Sequence, residues 1–335
     1  MAPASLSPSL CHRLCANAPV ICARCRVVHY CSKNHKSEHA ATHQSVCKAL
    51  ATLQQQRARQ EEGLRQELRD EYVGLYWGFY EARELLATKM SILKLYWKIG
   101  TRDALQEALA QGMDMLRLSR QDPMGVRDIV PALQLRLGML PECYDFLKWW
   151  AVTFAVETYS FRDMTLPFLD IRGANMAEDV AYAAHVSLSH CVAFVVVKLL
   201  AARRLWEGVQ VERIGEHKGL PTGVVGNILG FLDCPMPDDK TFSARETHRD
   251  VREQVLEMIR RVHGMNTHLW SGFQTPTSIM HLKSSEAFEP GSDDEARVTL
   301  EIWLKILQST PGLSRAIDES HVLTAVLPEH RTDSR

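Results

Sequence analysis

The chain has 335 residues, 46% hydrophobic and 24% charged, with a formal net charge of -1. That composition excludes disorder, a collagen-like repeat or a disulfide-dense scaffold for the chain as a whole, and its near-neutrality excludes a uniformly basic surface. The cysteines, however, are segregated: six of nine (Cys11, Cys15, Cys22, Cys25, Cys31 and Cys47) lie in the first 47 residues, beside His12, His29, His35, His39 and His43.

In chain order, residues 1–10 read as a flexible tail and residues 11–48 as a Cys/His module. Residues 49–70 are polar with high helical propensity and suit a connecting helix. Residues 71–327 read as an all-α domain, and 328–335 as a second tail. The start lacks a basic segment followed by an apolar run, so the expectation is an intracellular chain with reduced thiols, nucleus or cytoplasm left open. The clustered cysteines are then metal ligands rather than disulfides.

Within the module, Val20-Ile21 and Val27 to Tyr30 are β-formers on either side of the Cys22-x2-Cys25 knuckle, which predicts a short hairpin. Ser32 is placed to cap a helix, and His43 and Cys47 share one face of it. Cys31, His35, His39, His43 and Cys47 recur every four residues. Each step overshoots a helical turn by about 40°, so across the segment the drift reaches about 160° and one straight helix cannot aim them all at one ion. Two tetrahedral sites follow, with the soft N and S donors that suit structural Zn²⁺. His29 and His39 are the spectators, because eight ligands close the count without them.

The run Cys22-x2-Cys25, Tyr30-Cys31-Ser32-x2-His35, His43-x3-Cys47 resembles the MYND zinc-finger family. The resemblance implies a cross-braced finger of short β-hairpin plus helix with two zinc ions. One would be held by Cys11, Cys15, Cys31 and His35, the other by Cys22, Cys25, His43 and Cys47. Cys11-x3-Cys15 is one residue longer than the usual first pair, so His12 is an alternative first ligand to Cys11. Two family side chains that help bind proline-rich peptides are Lys36 and Ala40 here, which argues against that mode of capture.

The module is basic, +5 over residues 1–50 against -6 for the rest. Six thiolates and two zinc ions reduce that to about +3. With no aromatic stacking platform in the module and no arginine-studded helix, nucleic acid is a minor reading.

In the larger region, Tyr76 to Ile99 predicts a helix, and Leu105, Leu109, Met113 and Leu116 a second one capped by Thr101. Pro141 suits the first turn of a third, and further helices are expected at about 177–205, 243–265 and 294–308. The last opens from Ser292 with Glu295 in a capping box, while 219–230 and 274–291 read as loops. Polar residues interrupt the apolar run near Val192 to Val197, which favours a buried soluble helix over a membrane span. Trp149 and Trp150 cannot share one inward stripe; one is expected in the core and the other suits a groove or interface, although packing is favoured for each. Cys143, Cys191 and Cys234 read as core thiols.

Met124 to Leu133, Glu142 to Trp150, Leu166 to Asp170, Ser187 to His190 and Thr310 to Gly312 resemble blocks of uncharacterised fungal MYND-finger proteins. No catalytic motif accompanies them: there is no phosphate loop, no Gly-x-Ser-x-Gly and no SET methyltransferase signature. The charge pairs Arg127/Asp128 and Glu142/Asp145 fit caps or ion pairs. The expected protein is a non-enzymatic, zinc-binding adaptor for a protein partner, with a mainly α domain of packed helical hairpins behind the finger. The alternatives are an enzyme with an unrecognised site in the helical domain, or a nucleic-acid-binding regulator.

Overall fold

The computed structural model describes residues 20–225, 244–281 and 288–323. Both expected tails, Cys11, His12, Cys15 and Cys234 lie outside the described residues, as do parts of the two Pro- and Gly-rich stretches. The chain divides into two compact units, Met1–Met139 with Tyr159–Phe168, and Leu140–Thr158 with Leu169–Arg335.

In the first unit, β1 (Val20–Ile21) pairs antiparallel with β2 (His29–Tyr30), Val20 opposite Tyr30. Ser32 accepts the His35 amide and starts α1 (Lys33–Gly63), one 31-residue helix that continues past residue 48. α1 is polar and buries only Cys47 and Leu50 among its side chains. After a short α2 (Gln66–Asp70) come α3 (Tyr80–Ile99) and α4 (Arg102–Leu118). Gly100 ends α3 in the left-handed region, where a Cβ is costly, and Thr101 caps α4 by accepting from the Ala104 amide. α1, α3 and α4 pack together, and α5 (Val130–Leu137) packs on α4.

Two details differ from the sequence expectation. Tyr76–Gly78 forms a separate 3-10 turn before α3. On α4, Leu109 and Met113 are half-buried, whereas Ala108, Gly112 and Met115 join Leu105 and Leu116 at the core. Small residues allow this close approach: a Cβ on Gly112 would stand 3.3 Å from Val130 and 3.4 Å from Leu93.

α1 is fixed to its neighbours by hydrogen bonds more than by apolar burial. Gln54 donates to the Tyr96 hydroxyl (2.9 Å), Gln56 to the Thr88 hydroxyl (3.2 Å) and Arg57 to the Gln111 side-chain oxygen (3.2 Å). Lys89, 4% exposed, lies 2.8 Å from Glu61 and 2.9 Å from Asp114. Burial works to raise the Asp114 carboxyl, but Lys89 and Arg117 hold it below the ordinary carboxylate range.

In the second unit, α6 (Leu140–Phe154) has Pro141 in its first turn and is covered on more than one face. Trp149 and Trp150 are therefore both buried, at 3% and 0% exposure, with neither left in a groove. The Trp149 indole donates to Asp170 (3.0 Å), while Trp150 stacks near Phe154. The helix expected from 177 begins only at α7 (Leu188–Lys218), capped by Ser187. The Asn175 and Asp179 side chains accept from the amides of Ala177 and Ala181, competing with the helical ladder, and Ala181–His185 forms a 3-10 turn.

α7 is 31 residues long, and its first three turns, with Val192 to Val197, form the centre of the unit's core. α8 (Ala244–Met265) packs along it, followed by α9 (His268–Gln274), α10 (Asp293–Ser309) and α11 (Leu313–Ser320). Ser292 caps α10 as expected, and Glu295 reaches back to the Gly291 amide (2.7 Å) and to Asn266 (3.0 Å). Cys143 and Cys191 are buried in the core. Among the described residues, no helix is long and apolar enough to cross a membrane.

Candidate metal centre and its groove

The knuckle is built by backbone geometry. The Arg26 amide donates to the Cys22 carbonyl (2.9 Å), and Arg26 takes φ of 60°, the left-handed turn that folds Cys22 and Cys25 toward the same side. The Cys22 amide donates to the Val28 carbonyl (3.0 Å) and closes the hairpin. From α1, His43 and Cys47 project one turn apart toward the knuckle.

The ligand atoms of Cys22, Cys25, His43 and Cys47 all lie within 4.8 Å of one another. The Sγ atoms of Cys22 and Cys47 are 3.7 Å apart, and His43 Nε2 is 3.5 Å from Cys25 Sγ and 3.4 Å from Cys22 Sγ. Zn–S and Zn–N bonds of ordinary length set tetrahedral edges of about 3.8 Å between sulfurs and about 3.5 Å between sulfur and nitrogen. The four donors fit that polyhedron in both chemistry and spacing.

The three thiols of the cluster differ in how readily they ionise. Burial pushes the Cys25 thiol up to about 12, and burial followed by the neighbouring Cys22 raises Cys47. For Cys22, burial is outweighed by the amides of Cys25 and Arg24 and by the thiols of Cys25 and Cys47, so its pKa falls below that of a free thiol.

Cys31 and His35, which the MYND resemblance groups with Cys11 and Cys15, stand apart at the start of α1, Cys31 Sγ 3.0 Å from His35 Nδ1. His39 Nδ1 lies 2.9 Å from the Tyr30 hydroxyl, and its ring stacks on His43 with ring centroids 5.3 Å apart. His29 Nε2 is 2.7 Å from Asp103. His29 thus has a partner outside the Cys22–Cys47 cluster, whereas His39 lies against the cluster's own His43.

Sequence reasoning did not identify what seats the hairpin. The Thr101 hydroxyl, besides capping α4, donates to the Val27 carbonyl (2.5 Å), and Val27, Val28 and Tyr30 are buried. One side chain thus joins the hairpin to the start of α4. The signal was present as Thr101's cap position, but its second bond spans 74 residues of sequence.

An apolar groove of about 350 Å³ opens on the cluster, with Cys22, His43 and Cys47 forming part of its wall. Ala23, Tyr30, Ala40 and Ala41 line it, with Arg24 and Lys36 contributing cations. Lys36 and Ala40, the two departures noted from sequence, thus share one concave surface. Asp145 accepts the amides of Gly173 and Ala174, both at 2.8 Å.

No curated protein and no solved structure matches the chain. Residues 9–47, the stretch that carries the hairpin, the knuckle and the first turns of α1, match the MYND finger family, a zinc-binding, non-catalytic module of protein–protein interaction.

Proposed function

We propose that this protein is a non-enzymatic adaptor whose zinc finger presents the groove of Ala23, Tyr30, Ala40 and Ala41 to a protein partner. The groove beside the Cys22/Cys25/His43/Cys47 cluster carries this reading. Two zinc ions belong to it. Cys22, Cys25, His43 and Cys47 hold one; Cys31 and His35 hold the other with Cys15 and with Cys11, or His12 in its place. Bound zinc supplies charge neutralisation for the thiolates and a tie between hairpin and helix. The residues of the chain do the recognition: alanines keep the groove open and Arg24 and Lys36 set its charge. The helical units serve as the scaffold.

Native mass spectrometry of the full chain should show two zinc ions, and one or none would overturn the ligand assignment. Affinity capture with the full chain should recover a partner that is lost with Ala40→Glu, a change at an exposed position, and kept with Trp206→Ala. A partner set unaltered by Ala40→Glu would remove the groove from the reading.

A further inference from the structure

We propose that the face shared by the C-terminal half of α7 and the first turns of α8 binds single-stranded nucleic acid. This proposal is independent of the finger and of the reading above.

On α7, Arg203, Trp206, Gln210, Arg213 and His217 fall within about 80° of one another on the helical wheel. No acidic residue falls in that sector, which runs for about 21 Å along the helix. On α8, Arg245, His248, Arg249 and Arg252 likewise cluster within about 100°, with Glu246, Asp250 and Glu253 outside. The two stripes meet. Arg245 lines the same cleft as Arg213, His217 and Lys218, and the rings of His248 and Trp206 are 5.4 Å apart. The cleft measures about 660 Å³, and Glu216 is its one acidic lining residue.

Several of these cations are already engaged: Arg203 with Glu207, Arg249 with Asp250 and Arg252 with Glu319. The proposal therefore rests on Arg213, Lys218 and Arg245 for phosphate contacts. Trp206 decides between ligands. It is 49% exposed, whereas Trp149, Trp150, Trp270 and Trp303 are buried. A half-free indole beside a cation cluster offers a stacking platform next to an anion track, the combination that single strands use. A duplex keeps its base faces stacked inside and gains nothing from the indole. A phosphopeptide would use the cations alone.

The test is fluorescence anisotropy with the full chain and a labelled oligothymidylate of about 12 nucleotides. Binding should weaken with salt, log K falling against log salt with a slope of about -2 for three phosphate contacts. Trp206→Ala should weaken binding about tenfold. Arg213→Glu combined with Arg245→Glu should weaken it at least thirtyfold, with an unchanged circular dichroism melt at these exposed positions. Glu216→Gln should tighten it. A duplex of equal length binding as well as the single strand, or a doubly phosphorylated peptide displacing the strand at equal phosphate concentration, would overturn the proposal. So would wild-type affinity in both the tryptophan and the double-arginine variants.

Discussion

α1 and α7 are both 31 residues long, yet they are held by opposite means. α1 buries two of its residues, while α7 buries seventeen. α1 takes its place through cysteine and histidine donors near its start and through hydrogen bonds to α3 and α4. α7 takes its place by removing nearly its whole first half from water, with Trp303 donating to Ser189 (2.8 Å) across the core. A polar helix stays put when a few directional contacts over-determine it; an apolar helix needs only enough partners around it.

The sharpest way to break this contrast is to remove metal. Structural zinc in isolated finger peptides is worth on the order of 10 kcal/mol, because the site is not formed in the unfolded chain. Chelation should therefore erase amide-exchange protection in β1, β2 and residues 33–47 while the amides of α7 keep theirs. Protection surviving in the hairpin would show that packing, not metal, holds the finger.

Next in size is Trp303→Ala, which should destabilise the second unit by about 3–5 kcal/mol through the cavity it leaves. Urea unfolding followed by exchange in α7 would register the loss, while the amides of α1 should not change. An equal response in α1 would contradict the view that the two helices rest on separate supports.

A pH effect should also separate them. Lys198, 0% exposed, donates to the carbonyls of Met176 (2.8 Å) and Glu178 (2.5 Å) from within α7. Burial pushes its amine down to about 7, opposed by Glu178 and Asp179 and assisted by Lys148. Between pH 7 and 10 the unfolded chain then binds more protons at this site than the folded one, so stability rises with pH through that window. Relative to Lys198→Met, urea melts of the second unit should show a gain of up to about 3 kcal/mol from pH 7 to pH 9.5. The Cys143 and Cys191 thiols, raised by burial, oppose the gain above about pH 8.5 in both proteins, and Tyr144 and Tyr182, likewise raised by burial, oppose it above pH 10.

What the sequence disclosed follows the range of the interactions. Ser32, Thr101 and Ser292 were legible as caps because each bond is made three residues away. The ligand spacing was legible because Cys22 and Cys25 share a knuckle, and His43 and Cys47 share a helical turn. The start of α7 was misplaced by eleven residues because Asn175 and Asp179 take amides that an apolar pattern cannot reserve. The burial of Trp149 depended on Asp170, and the α7–α8 basic face on two stripes 30 to 40 residues apart. Each stripe is periodic by itself, but neither their meeting nor the Trp149–Asp170 bond is written in the spacing.

The smallest effect, and the one that bears most directly on how the finger is seated, is expected from Thr101→Val. The substitution keeps the shape of the side chain and deletes one hydroxyl that does two things. As acceptor it satisfies the Ala104 amide at 3.2 Å; as donor it meets the Val27 carbonyl at 2.5 Å. Loss of a cap costs about 1 kcal/mol, and a buried carbonyl left without its donor adds about 1 kcal/mol more. The two losses separate by location. The cap belongs to α4 alone, so its loss should fray residues 102–105 and nothing else. The second loss belongs to the hairpin, where the Val28 and Cys22 amides should exchange about tenfold faster. Thr101→Ser, which retains the hydroxyl, should restore both. If only α4 responds to Thr101→Val, the metal cluster seats the hairpin unaided; if the hairpin responds as well, one hydroxyl shares that work with four metal ligands.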